Sequence, residues 1–149
     1  MSGSGDSKYP VWRAYFTGTP RDHVGIFIQT QPNMVGTLIQ VRGAIERPRG
    51  MSHDKLENFN LHASQSFIKK KQLGYTTKEK AGEFWPCAVS EPAPTYQFAN
   101  GPPAQAIRCN EWQAEYEKKL YEEGLLVDIQ KTDDVEPLAG KYPVWYGTK

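Results

Sequence analysis

Long apolar runs are missing from this chain. No segment approaches the roughly 18 consecutive apolar residues that a membrane-spanning helix needs, so no integral membrane segment is expected. An excess of one charge is missing too. With 18 Lys and Arg against 17 Asp and Glu, the net charge is +1, which gives no footprint for nucleic acid or an acidic membrane. Cysteine is scarce, with only Cys87 and Cys109. The two could pair, but the opening MSGSGDSKYP lacks the basic and apolar regions of a secretion signal. Free thiols and a cytoplasmic address are therefore the expectation. No close C-x-x-C or H-x-x-x-H spacing joins the cysteines to His53 or His62, so no metal site is expected, and no other cofactor is implied.

What is present fits one compact domain. Its 149 residues are 38% hydrophobic and 23% charged, enough to bury a core without staples. Residues 1–9 read as a loose tail and residues 10–149 as a single α+β domain. PVWRAYFTG (10–18), HVGIFIQT (23–30) and TLIQVRGAI (37–45) read as strands joined by short connections, which favours an antiparallel meander. In the second strand Val24, Ile26 and Ile28 share one face, while His23, Gly25 and Phe27 share the other. MSHDKLENFN could be a polar edge strand or a short helix. SFIKKKQLGY (66–75) reads as another strand, with its lysine run on a solvated edge. Thr77 could cap a short helix leading to Phe84 and Trp85. Five prolines over residues 86–103 favour a loop, and LVDIQ (126–130) reads as a last strand. Lys8-Tyr9-Pro10-Val11-Trp12 echoes in Lys141-Tyr142-Pro143-Val144-Trp145, too short a match for a repeat architecture.

The longest helical pattern runs from Ala106 to about Gly124. Cys109, Trp112, Tyr116 and Leu120 fall on one stripe, and Glu111, Glu115, Lys118 and Glu122 on the opposite side. Glu115 and Lys119 have the order and spacing of a helical ion pair, and Gly124 suits a left-handed stop. The fold expected is thus α+β: an antiparallel sheet of about four to six strands with the 106–124 helix packed on one face.

Cys109 would then point inward at a helix start, where the dipole favours a thiolate. A thiol nucleophile needs a nearby base, and that base needs a polar group to hold its ring. His23 and Gln40, on neighbouring strands, could fill those roles. Gly25 would leave room for the helix start to approach. Taken alone, a cysteine on the apolar face of a helix is more often a small core residue. Cys87 could be a loop thiol or a partner for Cys109, and the two arginines of RPRG could bind an anion or simply be solvated.

The order of these segments adds to the case. DHVGIFIQT, GTLIQVRG and RCNEWQAEYEKKL together resemble the circularly permuted papain-like proteins. That branch includes the lecithin:retinol acyltransferase-like proteins and relatives of the NlpC/P60 peptidases. The layout from about Val11 to Leu126 also looks like a group of uncharacterised fungal proteins with HWxLxI, LIHVxG and a CxxW helix ending in GLL. The resemblance implies a permuted papain-like fold and a cysteine-dependent hydrolase or acyltransferase acting on an amide, ester or thioester. Catalytic Cys109, His23 and Gln40 would then meet a small-molecule, lipid or peptide acyl substrate. The chain departs from these patterns at Gln40, where the fungal proteins tend to have histidine, at Arg108, where the acyltransferase motif has asparagine, and at Val24 in place of tryptophan. A glutamine can orient an imidazole but cannot serve as a second base. The alternative is a non-catalytic binding or regulatory module on the same scaffold. The placement of His23, Gln40 and Cys109 separates the two, because activation needs hydrogen-bond reach or one bridging water.

Overall fold

The computed structural model describes residues 8–18 and 22–128. Strands β1 (Lys8–Phe16), β2 (His23–Gln31), β3 (Val35–Gly43), β4 (Met51–Asn60) and β5 (Phe67–Thr77) form one antiparallel sheet with a two-residue β6 (Val127–Asp128). Their order across the sheet is β4-β3-β2-β1-β5-β6, so β1 to β3 make the expected meander, β4 extends it and β5 returns beside β1. The polar segment MSHDKLENFN is the edge strand, not a helix. Lys8 and Tyr9, expected in the tail, belong to β1 and pair with Thr77 and Thr76. The second KYPVW copy lies outside the described residues.

Three helices cover one face: α1 (Lys78–Ala81), α2 (Phe84–Ser90) and α3 (Cys109–Glu122). Thr77 caps α1, its hydroxyl accepting from the Lys80 amide at 3.2 Å. α2 overturns the loop expected from residue 86 onward. Pro86 sits in the first turn of that helix, where a missing N–H costs no hydrogen bond. α3 begins later than its sequence pattern, at Cys109. Ile107 is held outside the helix because its backbone N–H and C=O both bond the side chain of Gln97, at 2.9 and 2.7 Å. Arg108 is extended, and its amide donates to the carboxylate of Glu111. Gly124, with φ of 74°, ends the helix as expected.

The predicted stripe of Cys109, Trp112, Tyr116 and Leu120 is buried against Val24, Ile26, Ile28, Ile39 and Val41. The other sheet face has its own core of Trp12, Ala14, Phe16, Phe27, Leu38, Leu61 and Phe67. Residues 61–66, which join β4 to β5 four places away in the sheet, cross this face and place Leu61 in its core. The sheet curls toward this face, so that Phe59 of β4 meets the rings of Phe16, three strands away, and Phe27. The solvated edge expected for the lysine run holds for Lys69 and Lys71 and fails for Lys70. Among the described residues, β5 has a partner on one side only beside residues 69–71, because β6 pairs just with Gly74 and Tyr75. The alternation that exposes Lys69 and Lys71 on this edge buries Lys70 over the ring of Trp12.

One ion pair ties the helix to the sheet. Arg13 on β1 donates Nε and Nη2 to the two carboxylate oxygens of Glu117 on α3, at 2.7 and 2.5 Å. Gln113 adds a third donor at 2.8 Å. Lys119 pairs with Glu91 of the preceding segment at 3.4 Å rather than with Glu115. Because Glu117 is buried, Arg13→Met should cost about 2–4 kcal/mol in urea unfolding, by stranding a carboxylate. Replacing both partners by methionine should cost less than that single change. Equal losses in the two variants would show that the stranded Glu117 carboxylate costs nothing.

Candidate functional site

His23 stands at the first position of β2, and the two-residue period of the strand sends its ring to the face away from α3. There the ring packs on Phe16. Gln40 lies on that same face of β3 and accepts from His23 Nε2 through its side-chain oxygen. The Gln40 amide nitrogen in turn donates to Asp54 of β4 at 2.9 Å. This second bond decides the orientation of the amide. With its nitrogen on Asp54, Gln40 can offer His23 only an oxygen, so Nε2 of His23 carries the proton and Nδ1 is the basic nitrogen. Gly25 serves this arrangement, not the helix. A Cβ there would lie 3.0 Å from Leu38 Cδ1 and 3.3 Å from Gln40 Cβ.

Asp54 was missed by the sequence reading. It could have been found by taking MSHDKLENFN as the antiparallel partner of β3. Gly43 pairs with Met51, and three steps away from the turn, back along β3 and forward along β4, Gln40 meets Asp54.

Cys109 occupies the other face. It belongs to the core beneath α3 with Val24, and backbone amides of Val24, Asn110 and Cys109 itself surround its sulfur. Among the described residues no hydrogen bond joins the sulfur to the His23 ring. The two residues come together at the end of the sheet where β2 and β3 run out. There both line a cavity of about 190 Å³, with Asp22, Gly43, Met51 and Arg108. His23 and Gln40 also line a larger cavity of about 360 Å³ on the helix-free side, with Phe16, Leu38, Arg42 and Phe59.

The electrostatics make both groups neutral at rest. Burial lowers the His23 pKa below its ordinary value. The Gln40 hydrogen bond opposes this, the charge of Arg42 adds to it and that of Asp54 opposes it. Burial raises the Cys109 thiol above its ordinary value, against the pull of the Val24 amide. Cys87 lies in α2, not in a loop, and burial pushes its thiol up to about 11. Both cysteines are free thiols.

The other histidines hold structure together. His53 donates from Nε2 to the Glu91 carbonyl at 2.7 Å, which also receives Trp112 Nε1 at 3.0 Å. His62 lies 3.2 Å from Lys70 Nζ. No cluster of three His, Cys, Asp or Glu suited to a metal occurs among the described residues. No helix among them is long and apolar enough to cross a membrane.

The molecule is therefore a small α+β protein with a curled antiparallel sheet, whose open end carries a thiol and a histidine backed by an amide and a carboxylate. The chain belongs to the family of unknown function DUF6540, whose match covers residues 11–127. No curated protein and no solved structure matches it.

The relay can be tested without reference to activity. Gln40→Ala removes the hydrogen bond that favours the imidazolium and should lower the His23 pKa further, read by NMR titration of the imidazole. An upward shift would mean that Gln40 does not hold the ring. The sign for stability follows from linkage. The unfolded histidine takes its proton near pH ~6.5 and the folded one only at lower pH, so His23 reduces stability as pH falls from ~6.5 through its folded pKa.

Proposed function

We propose that this protein is a cysteine-dependent hydrolase or acyltransferase of permuted papain-like design, acting on an amide, ester or thioester. The observation that carries the reading is the shared cavity: Cys109 and His23 both line it, and behind His23 stand Gln40 and Asp54. The amide–imidazole bond leaves Nδ1 as a base, the arrangement a thiol nucleophile requires.

Because both groups rest neutral, His23 acts as a general base when substrate arrives, not as half of a standing ion pair. The Cys109 sulfur attacks the acyl carbon while its proton passes to His23 Nδ1. The bond to the leaving alcohol, amine or thiol breaks, and His23 returns the proton to that group. Water or another acceptor then attacks the thioester, gives its proton to His23 and releases the acyl group, and the proton returns to Cys109. The amides around the sulfur at the start of α3 are suited to the oxyanion formed in both steps.

A second reading, a non-catalytic binding module, draws on the placement of Cys109 and His23 on opposite faces and on the 6% exposure of Cys109. Its contact surface would be the proline-rich segment, beside which Val89, Tyr96 and Ile107 are exposed.

Mass spectrometry after mixing with p-nitrophenyl acetate separates the two. The catalytic reading expects an acetyl group on Cys109, absent in Cys109→Ala and formed at least ~10²-fold more slowly in His23→Ala. Its rate should rise with pH along a limb centred below ~6.5, because His23 accepts a proton only when neutral and its pKa is lowered. An unlabelled Cys109, or His23→Ala acylating as fast as the unaltered chain, would leave the binding module.

A further inference from the structure

The turn between β3 and β4 gathers positive charge at the same end of the sheet. Arg42 is the last residue but one of β3, and Arg47 and Arg49 flank Pro48 in the turn. All three line one open groove of about 700 Å³ with Ser52. Among the described residues none of the three has a carboxylate partner, whereas Arg13 and Arg108 each have one. Three guanidinium groups around one concavity repel one another, and an oxyanion is the counter-charge their planar forks fit best.

The turn is also held in place. Gly43 and Gly50 have φ of 119° and 64°, and a Cβ on Gly43 would sit 2.5 Å from the Gly50 carbonyl oxygen, so the neck closes only with glycine. Backbone bonds from Met51 N–H to the Pro94 carbonyl (2.8 Å) and from Gln97 N–H to the Ile45 carbonyl (3.0 Å) fasten it to the proline-rich segment. The groove adjoins both cavities of the candidate site. Arg42 and Gly43 also line the His23–Gln40 cavity, and Gly43 and Ala44 the cavity shared with Cys109.

We infer that Arg42, Arg47 and Arg49 form an anion-recognition site that holds the carboxylate or phosphate of a small acyl substrate beside His23 and Cys109. The assignment of the anion to an acyl substrate rests on the thiol acyl-transfer reading. The anion site itself does not. A chain with a net charge of +1 has no long-range field for a polyanion, and the concave, anchored cluster suits a single small oxyanion.

Inorganic phosphate added to the full chain, at ionic strength held constant with chloride, tests the site through the three imidazoles by NMR. The charged groups around His23 are Arg42 and Asp54, with Asp22, Glu46 and Arg108 along the adjoining cavity. Phosphate seated on Arg42 offsets the charge that lowers the His23 pKa, so that pKa should rise saturably while His53 and His62 stay unchanged. The double variant R47Q/R49Q leaves Arg42 in place and should weaken the effect at least about tenfold. No saturable shift beyond chloride, or an equal one in the double variant, overturns the site.

A second arm compares Cys109 acylation by a p-nitrophenyl ester bearing a free carboxylate with acylation by p-nitrophenyl acetate. The anionic-to-neutral rate ratio should fall about tenfold in R47Q/R49Q, and an unchanged ratio overturns the assignment to substrate. If phosphate binds as stated and neither ester acylates Cys109, the acyl-transfer reading fails and the anion site stands. If both esters acylate and phosphate leaves His23 unmoved, the acyl-transfer reading stands and the anion site falls.

Discussion

The two-residue period of β2 constrains everything around it. Residues 24–29 are buried on both faces of the sheet, with Val24, Ile26 and Ile28 beneath α3 and Phe27 in the core of the curled side. Slipping the strand by one residue would exchange those faces and drive Phe27 under the helix. The register is therefore held by two cores at once. It commits His23 to one face and the amide of Val24 to the sulfur of Cys109 on the other. Thiol and imidazole can approach only where the strand begins and the sheet ends.

The β3–β4 hairpin supplies the rest of the site from a single register. Its pairing sets Gln40 opposite Asp54, and that pairing orients the amide whose oxygen fixes the His23 tautomer. The same pairing closes the turn through Gly43 and Gly50 and lifts Arg47 and Arg49 beside Arg42. One local decision, which residue of β4 faces which residue of β3, thus sets the base, its support and the charge around it. Arg42 links the two halves, because its charge contributes to the low pKa of His23 while its side chain lines the groove outside.

Overall charge balance conceals this local concentration. A near-neutral total excludes a long-range field, yet it is compatible with three arginines around one turn, because carboxylates nearby and elsewhere are engaged with other cations, Glu46 of the same turn with Arg108. Glu117, for example, is spent on Arg13, joining helix to sheet.

Local periodicity carried much of the architecture. Alternation in HVGIFIQT, the buried stripe from Cys109 to Leu120, the Thr77 cap and the Gly124 stop are all written within a few residues of where they act, so they can be read without a fold. Features that depend on distant partners could not be read in this way. Lys70 is buried because the alternation of β5 turns it over the ring of Trp12 on the neighbouring strand. Pro86 enters a helix because the first turn asks nothing of its nitrogen, and Ile107 stays out of α3 because Gln97 claims its backbone. Asp54 joins the site through a pairing across a turn. The sequence by itself determined which residues could be a nucleophile, a base and an orienting amide, since those are properties of side chains. Only the tertiary structure decided that the imidazole and the thiol take opposite faces and share one cavity at the sheet's end, because the face a side chain takes is settled by what the whole sheet packs against.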